Sequence, residues 1–201
     1  MGQGTKKFIL FALLVAYFIV GYLGINSINM HRAYYFSVSL PFEASIPFIP
    51  FFITGYTSVY LAIIFLYFVL RDFDIFKKGM LFFFLLSTVH FVLFILIPVK
   101  MNRPDMSGAT SVMGMLTHYY YMIDNPVNCF PSLHVAYPLG GTILLWNYRR
   151  NWAYLLAFLT LFIAVSVLLV KQHYFLDVVF AFATTFACWW ITNLITTPKH
   201  Q

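Results

Sequence analysis

The sequence predicts an all-α, polytopic membrane protein in which six transmembrane helices form one bundle. Of its 201 residues, 62% are hydrophobic and only 9% are charged. Soluble domains carry about a quarter charged residues, and a chain of this length cannot bury so much apolar surface in its own core. The apolar residues also fall into runs that approach the roughly 20 residues needed to cross a bilayer. We therefore expect the lipid bilayer to be the solvent for most of the chain.

Short polar breaks divide the apolar residues into six predicted helices, 8–25, 51–70, 79–99, 132–146, 152–170 and 174–195. The first run resembles a signal peptide, but it lacks a small-residue cleavage site and is interpreted as a retained helix. Residues 26–50 are mixed and hold three prolines, so they are predicted to lie along the membrane interface. Residues 100–131 are predicted to form one polar loop. With no repeat and no linker, residues 1–201 are interpreted as a single transmembrane domain.

The fourth predicted helix is short and contains Pro138 and the pair Gly140–Gly141. Small residues allow helices to approach closely inside a membrane. This helix is therefore expected to lie at the centre of the bundle.

Basic residues are distributed unevenly between the two sides of the predicted bundle. With six spans, both termini share one side with eight of the twelve Lys and Arg residues, namely Lys6, Lys7, Arg71, Lys77, Lys78, Arg149, Arg150 and Lys199. The positive-inside rule then places the termini in the cytoplasm. The net charge of +6 is interpreted as this topology signal and not as a nucleic-acid surface, because the basic residues stand singly or in pairs between apolar runs.

Two stretches place a histidine where a polar loop meets an apolar run, and both fall on the predicted outer side. One contains His134, and the other contains His173 and Asp177. Because Asp177 follows His173 by four residues, both side chains project from one helix face. The carboxylate can fix the imidazole tautomer and leave the other ring nitrogen as a nucleophile or base. A structural ion pair that holds the last helix would have the same spacing.

Cations near these histidines predict an anion site. Ser132 can cap the helix that carries His134, and the free amides of that first turn would attract an anion. Lys100, Arg103 and Lys171 lie beside the same loops and together would surround a phosphate with positive charge. Taken singly, Lys100, Arg103 and Lys171 are more typical of lipid-headgroup anchors than of phosphate ligands.

These residues resemble the three motifs of the type 2 phosphatidic acid phosphatase superfamily. The chain has Arg103-Pro104, then Pro131-Ser132-x-His134, then His173-x-x-x-Asp177, in the family's order. The resemblance covers about the last hundred residues by motif and the whole chain by its expected helices.

The chain departs from the motifs at three positions. Leu96 replaces the lysine of the first motif, Leu133 the glycine of the second, and Val167 the arginine of the third. Lys100 and Lys171 are the available substitutes for the missing charges. The Ser-Leu-His sequence, and residues 46–50, resemble the branch that contains inositol and sphingolipid phosphotransferases.

The resemblance implies an enzyme that acts on a lipid phosphate at the outer face of the membrane. His173 would attack phosphorus, Asp177 would orient it, and His134 would protonate the leaving alkoxide. The residues implied in phosphate binding are Lys100, Arg103, Ser132 and Lys171. Neither a metal nor another cofactor is implied, and the expected partners are the lipid substrate and the bilayer.

Several functions remain open from the sequence. The leading one is a lipid phosphate phosphatase, and the second is a lipid phosphotransferase that moves a phospho-headgroup to an alcohol. A proton-coupled transporter would predict charged residues near mid-membrane and repeated halves, and the sequence shows neither. A metalloenzyme could use His134, His173 and Asp177 as ligands, but the nearby cations would repel a metal ion.

Overall fold

The computed structural model describes residues 1–197, and over that range the chain is helical without any β-strand. Seven α-helices follow one another: α1 (Gln3–Met30), α2 (Ile53–Val69), α3 (Phe73–Leu96), α4 (Val112–Ile123), α5 (Leu133–Trp146), α6 (Arg150–Leu169) and α7 (Phe175–Thr196). Two short 3-10 turns, Pro41–Ser45 and Pro50–Phe52, lie between α1 and α2. The prediction of an all-helical protein is confirmed.

Within the part of the chain that the structure describes, five helical segments are long and apolar enough to cross a membrane. They are α1, Pro50–Val69, α3, α6 and α7. Helix α5 is also apolar but has only 14 residues, which is about 21 Å of helix against a hydrocarbon core of roughly 30 Å. The chain is thus a multi-pass membrane protein by its helices, and the predicted count of six crossings depends on α5.

The prediction that residues 100–131 form one polar loop was wrong, because α4 lies within them. The Ser111 hydroxyl accepts a hydrogen bond from the amide of Gly114 at 3.1 Å and so caps the start of this helix. The 12 residues of α4 are too few to span a bilayer. Its sequence therefore lacks an apolar run of spanning length, which is the pattern that predicted the other helices.

Two other helices extend beyond their predicted bounds. Helix α3 begins at Phe73 because the Asp72 carboxylate accepts hydrogen bonds from the amides of Asp74 and Ile75, each at 2.9 Å. The pair Lys77–Lys78, predicted to lie in a turn, is therefore inside a helix. Helix α1 is longer at both ends and reaches Met30.

Helix α5 occupies the centre of the bundle, as its glycines predict. It packs against α2, α3, α6 and α7. A Cβ atom on Gly140 would lie 2.6 Å from the Phe82 ring, and one on Gly141 would lie 2.7 Å from Leu156. Side chains at these positions would therefore force α3 and α6 away from α5.

Hydrogen bonds to backbone carbonyls connect separate parts of the chain at each end of the bundle. At one end, here called the histidine end, the amide of Ser132 donates to the carbonyl of Asp177 at 3.0 Å, and that of Ile49 donates to Leu169 at 2.9 Å. At the other end the Lys7 ammonium donates to the carbonyl of Leu70 at 2.6 Å. Lys199, which the topology prediction also used, lies outside the described residues.

Candidate active site

His173 lies in the tight turn between α6 and α7. The amides of Gln172 and His173 both donate to the carbonyl of Val167, at 2.9 and 3.1 Å. Lys171 adopts a positive φ of 50° in the same turn. Val167, which stands where the family motif has arginine, is completely buried, so its backbone shapes the turn while its side chain fills the core.

Asp177 holds the His173 ring from the first turn of α7. The Nδ1 atom of His173 lies 3.2 Å from Asp177 Oδ2, and the amide of Tyr174 donates to the same oxygen at 2.8 Å. Since the carboxylate only accepts, Nδ1 carries the proton and Nε2 keeps its lone pair. The other carboxylate oxygen, Oδ1, is buried and has no hydrogen-bond partner within residues 1–197. The predicted contact between these two residues is therefore present.

The second histidine contacts the nitrogen that Asp177 leaves free. His134 Nδ1 lies 3.4 Å from His173 Nε2, and because Nε2 is an acceptor, His134 donates its Nδ1 proton. A phosphorus atom about to be attacked must approach the nitrogen to roughly 3–3.5 Å. The two rings must therefore separate before a phosphate can lie between them.

Burial sets the protonation state of His173. It lowers the pKa of this imidazole from 6.5 to about 4. The carboxylate of Asp124 opposes this change and the guanidinium of Arg103 adds to it. His173 is consequently neutral at pH 7, which is the form in which it can act as a nucleophile.

Arg103 reaches the turn that carries His173. Its guanidinium donates to the side-chain oxygen of Gln172, and also to the carbonyl of Asp124 at 2.5 Å. The group lies over the Tyr121 ring, 4.7 Å from its centroid. Its Nε atom is buried without a partner. The structure thus places this predicted phosphate-binding residue beside the histidine pair.

Ser132 is at the N-cap position of α5, but it does not cap the helix in the predicted way. Its side chain makes no capping hydrogen bond, and its buried hydroxyl has no partner. The backbone amide of Ser132 donates to the carbonyl of Asp177. Pro138 also has no amide hydrogen to donate to the carbonyl of His134 four residues earlier.

The side chains of Lys100 and Lys171 do not point toward the histidine pair. The Lys171 ammonium donates to the carbonyl of Ile46 at 2.7 Å and lies 3.4 Å from that of Glu43. Lys100 is exposed, with its ammonium 5.5 Å from the centroid of the Tyr35 ring. Neither ammonium contacts the histidine pair in this conformation.

Two acidic residues near the site were not predicted from the sequence. Asp124, at the end of α4, accepts hydrogen bonds from the hydroxyls of Tyr22 and Tyr56 at 2.8 and 2.5 Å. The Glu43 carboxylate accepts from the amide of Phe175 at 2.5 Å and so ties the 3-10 turn to α7. Both partnerships join residues far apart in the chain, so no local spacing indicated them.

Two cavities, each of about 550 Å³, reach the histidines from different sides. The first is lined by residues between α1 and α2 and by the loops before α4 and α7, including Ser39, Asn102, Lys171 and His173. The second is largely apolar, lies among α1, α2 and α3, and ends at Asp124 and His134. A molecule bound between the histidines could therefore extend in two directions.

Within residues 1–197 the structure shows no group of three His, Cys, Asp or Glu side chains arranged to hold a metal ion. His134, His173 and Asp177 form a hydrogen-bonded row in which His173 is the middle member. Such a row suits proton transfer and nucleophilic attack more than metal coordination.

In a comparison with family models, the chain matches the model described as the PAP2 superfamily over residues 28–191. Comparisons with curated proteins and with solved structures gave no match. The matched range includes α2 to α6, most of α7 and all three motif stretches, and it covers most of the chain. The protein therefore belongs to the PAP2 superfamily, the type 2 phosphatidic acid phosphatases that its motifs resemble.

Proposed function

We propose that this protein is a membrane enzyme that hydrolyses a lipid phosphomonoester or pyrophosphate through a phosphohistidine intermediate. The observation that carries the proposal is the row from Asp177 through His173 to His134. In this row a neutral imidazole is held by a carboxylate on one nitrogen and presents its other nitrogen to a second imidazole. Membership of the PAP2 superfamily supports phosphatase or phosphotransferase chemistry at this site.

In the first step, Nε2 of His173 attacks phosphorus and the bond from phosphorus to the leaving oxygen breaks. His134, protonated when the phosphate dianion binds, gives its proton to that oxygen as a general acid. The imidazole of His173 becomes positively charged, and Asp177 stabilises this charge through the Nδ1 hydrogen bond.

In the second step, a water molecule attacks phosphorus from the side vacated by the leaving group. His134 now accepts a proton from this water as a general base. The bond from phosphorus to Nε2 breaks, and its electron pair returns to the His173 ring. Inorganic phosphate leaves and both histidines regain their starting states.

The phosphoryl oxygens would be held by groups that the site leaves free. These are the Nε–H group of Arg103, the unpartnered hydroxyl of Ser132 and the amides of the first turn of α5. Lys100 and Lys171 remain predicted phosphate ligands. Lys171 would have to exchange the Ile46 carbonyl for the phosphate, and it lines the same cavity as His173.

The apolar cavity that ends at His134 supports a lipid as the leaving group. Its lining comes mainly from α1 and α2, including Phe18, Ile19 and Ile63. A hydrocarbon chain in this cavity would remain in an apolar environment while its ester oxygen meets the general acid. We further propose that α5 makes the sixth crossing, with the termini in the cytoplasm and the histidine end at the outer face.

A second candidate is a lipid phosphotransferase, and the cavity beside His173 favours it. Ile46 and Phe48 line this cavity, and they belong to the stretch that resembles the inositol and sphingolipid phosphotransferases. An alcohol entering here could replace water in the second step. The residues of the first step are the same in both reactions.

Rapid-quench labelling with a phosphate-labelled lipid tests the proposal. We expect acid-labile label on the peptide that contains His173, and no label in His173→Ala. His134→Ala should bind the lipid but lose turnover by about 100-fold or more, as expected for loss of a general acid. His31→Ala is the matched control, because His31 is exposed and lies outside the site.

The outcomes separate the candidates. Label on the His134 peptide, or full activity in His173→Ala, would contradict the mechanism. Adding a panel of alcohols to the labelled enzyme distinguishes the two reactions, since a phosphotransferase would move the label to one of them faster than to water.

A further inference from the structure

The ring of His134 contacts an aromatic residue from another helix. The Tyr56 ring of α2 stacks on the His134 ring, with the centroids 4.3 Å apart and the planes inclined by 29°. Tyr56 is completely buried. The imidazole therefore lies between this phenol ring on one side and His173 on another.

The hydroxyl of Tyr56 is itself fixed by a carboxylate. It donates to Oδ2 of Asp124 at 2.5 Å, while Tyr22 of α1 donates to Oδ1 at 2.8 Å. Each carboxylate oxygen thus accepts one tyrosine hydroxyl, and the backbone carbonyl of Asp124 accepts from Arg103. The end of α4 is held by groups from three other parts of the chain.

We propose that Asp124 and Tyr56 form a positioning pair for His134, as Asp177 does for His173. The inference rests on the proposed function, in which His134 must carry an extra proton in the first step. A phenol that donates to a carboxylate gains electron density in its ring, and the face of such a ring attracts a cation. The stacked contact therefore favours the imidazolium form of His134 and holds it in line with the leaving oxygen.

The charges around His134 explain why an anion is needed beside it. The titratable and charged groups that act on its imidazole or stack on it are His173, Arg103, Asp124 and Tyr56. Arg103 and a charged His173 would oppose a proton on His134, and among these groups Asp124 alone is an anion. Without the Asp124 carboxylate, His134 would lose its extra proton before transferring it to the leaving oxygen.

The test compares two leaving groups in single turnover. Dodecyl phosphate releases an alkoxide that needs a general acid, whereas nitrophenyl phosphate releases a stable anion that does not. For each variant the rate of phosphoenzyme formation with the first substrate is divided by the rate with the second. This ratio does not depend on how much of a variant is folded.

We expect the ratio to fall about 10- to 100-fold in Asp124→Asn, which is part of the 10²- to 10⁴-fold effect of a general acid. Tyr56→Phe keeps the stacked ring but loses the link to Asp124, and it should show a similar fall. Tyr56→Leu also removes the ring face and should fall at least as far. Tyr119→Phe, at an exposed position of α4, is the matched control and should keep the wild-type ratio.

A wild-type ratio in Asp124→Asn would overturn the inference, and a wild-type ratio in Tyr56→Phe would overturn the hydrogen-bonded link. Failure of the proposed function gives a different result. In that case the wild-type enzyme itself would form no phosphohistidine, whereas failure of this inference leaves a normal phosphoenzyme with unchanged ratios.

Discussion

Replacement of Asp177 by asparagine should slow the enzyme without removing the geometry of its nucleophile. Both hydrogen bonds to this side chain, from His173 Nδ1 and from the Tyr174 amide, end on the single oxygen Oδ2. An asparagine with its carbonyl at that place keeps both bonds, and its amide nitrogen takes the place of Oδ1, which already has no partner. The tautomer of His173 is thereby preserved, and the negative charge is what is lost.

The size of the effect follows from that difference. A hydrogen bond to a charged group contributes about 1.5–3 kcal/mol, and each 1.36 kcal/mol corresponds to tenfold in rate. A neutral hydrogen bond contributes about 0.5–1.5 kcal/mol, so losing the charge while keeping the bond costs about 1–1.5 kcal/mol. We therefore expect phosphoenzyme formation to be about 5- to 13-fold slower in Asp177→Asn. Asp177→Ala should be slower still, because it also leaves the Tyr174 amide and the His173 Nδ1 proton without an acceptor.

Rapid-quench measurement of the labelled phosphoenzyme checks this prediction in both variants. Asp177→Glu serves as a further comparison, since it keeps the charge but moves the oxygen. Wild-type speed in Asp177→Asn would refute the role of the charge. Equal inactivity of the asparagine and alanine variants would instead refute the argument that Oδ2 alone carries the geometry.

Three other predictions concern acidity, packing and topology. Since the neutral form of His173 is the proposed nucleophile and its pKa is about 4, kcat/KM divided by the dianion fraction of the substrate, whose second pKa is about 6, should stay high from pH 7 to pH 5 and fall as the pH drops through about 4; a corrected profile that falls near 6.5 would contradict this burial effect. A Cβ atom on Gly55 would lie 2.0 Å from Ser166 Oγ and 2.7 Å from its Cβ, so Gly55→Ala should destabilise the fold by about 1–3 kcal/mol. The second change Ser166→Gly should restore much of the lost Tm in detergent, and no recovery would show that this contact is not the cause. A membrane-impermeant thiol reagent applied from outside should label Ser107→Cys and miss Asn151→Cys, against a background of two buried native cysteines; the reverse pattern would invert the proposed topology.

The parts of the site that could be predicted are those encoded over a few residues. The His173–Asp177 contact follows from a spacing of four on one helix, and the structure shows it. Asp124 could not be found in this way, because its partner Tyr56 lies 68 residues away and only the packing of α2 against α4 brings them together. The direction of Lys171 was equally hidden, since it depends on a positive φ in the turn and on carbonyls of the interfacial segment.

The same distinction applies to the fold. Long apolar runs predicted the spanning helices because hydropathy is summed over about 20 residues. Helix α4 is short and amphipathic, and its capping serine lies in a polar stretch that also has the composition of a loop. Helix bounds such as the start of α3 at Phe73 are set by a single capping carboxylate, Asp72, and not by hydropathy.

The direct contact between His134 and His173 has a consequence for how tightly the enzyme holds ground-state ligands. In the proposed mechanism, a phosphate binds only to molecules in which the two rings have moved apart, so its apparent affinity falls in proportion to the fraction of molecules in that open form. If about 1% of molecules are open, the apparent affinity is about 100-fold below the intrinsic one. Inorganic phosphate should accordingly be a weak inhibitor, because closure of the two rings competes with its binding. A compound that spans both cavities and also separates the rings would gain its affinity from the two cavity walls.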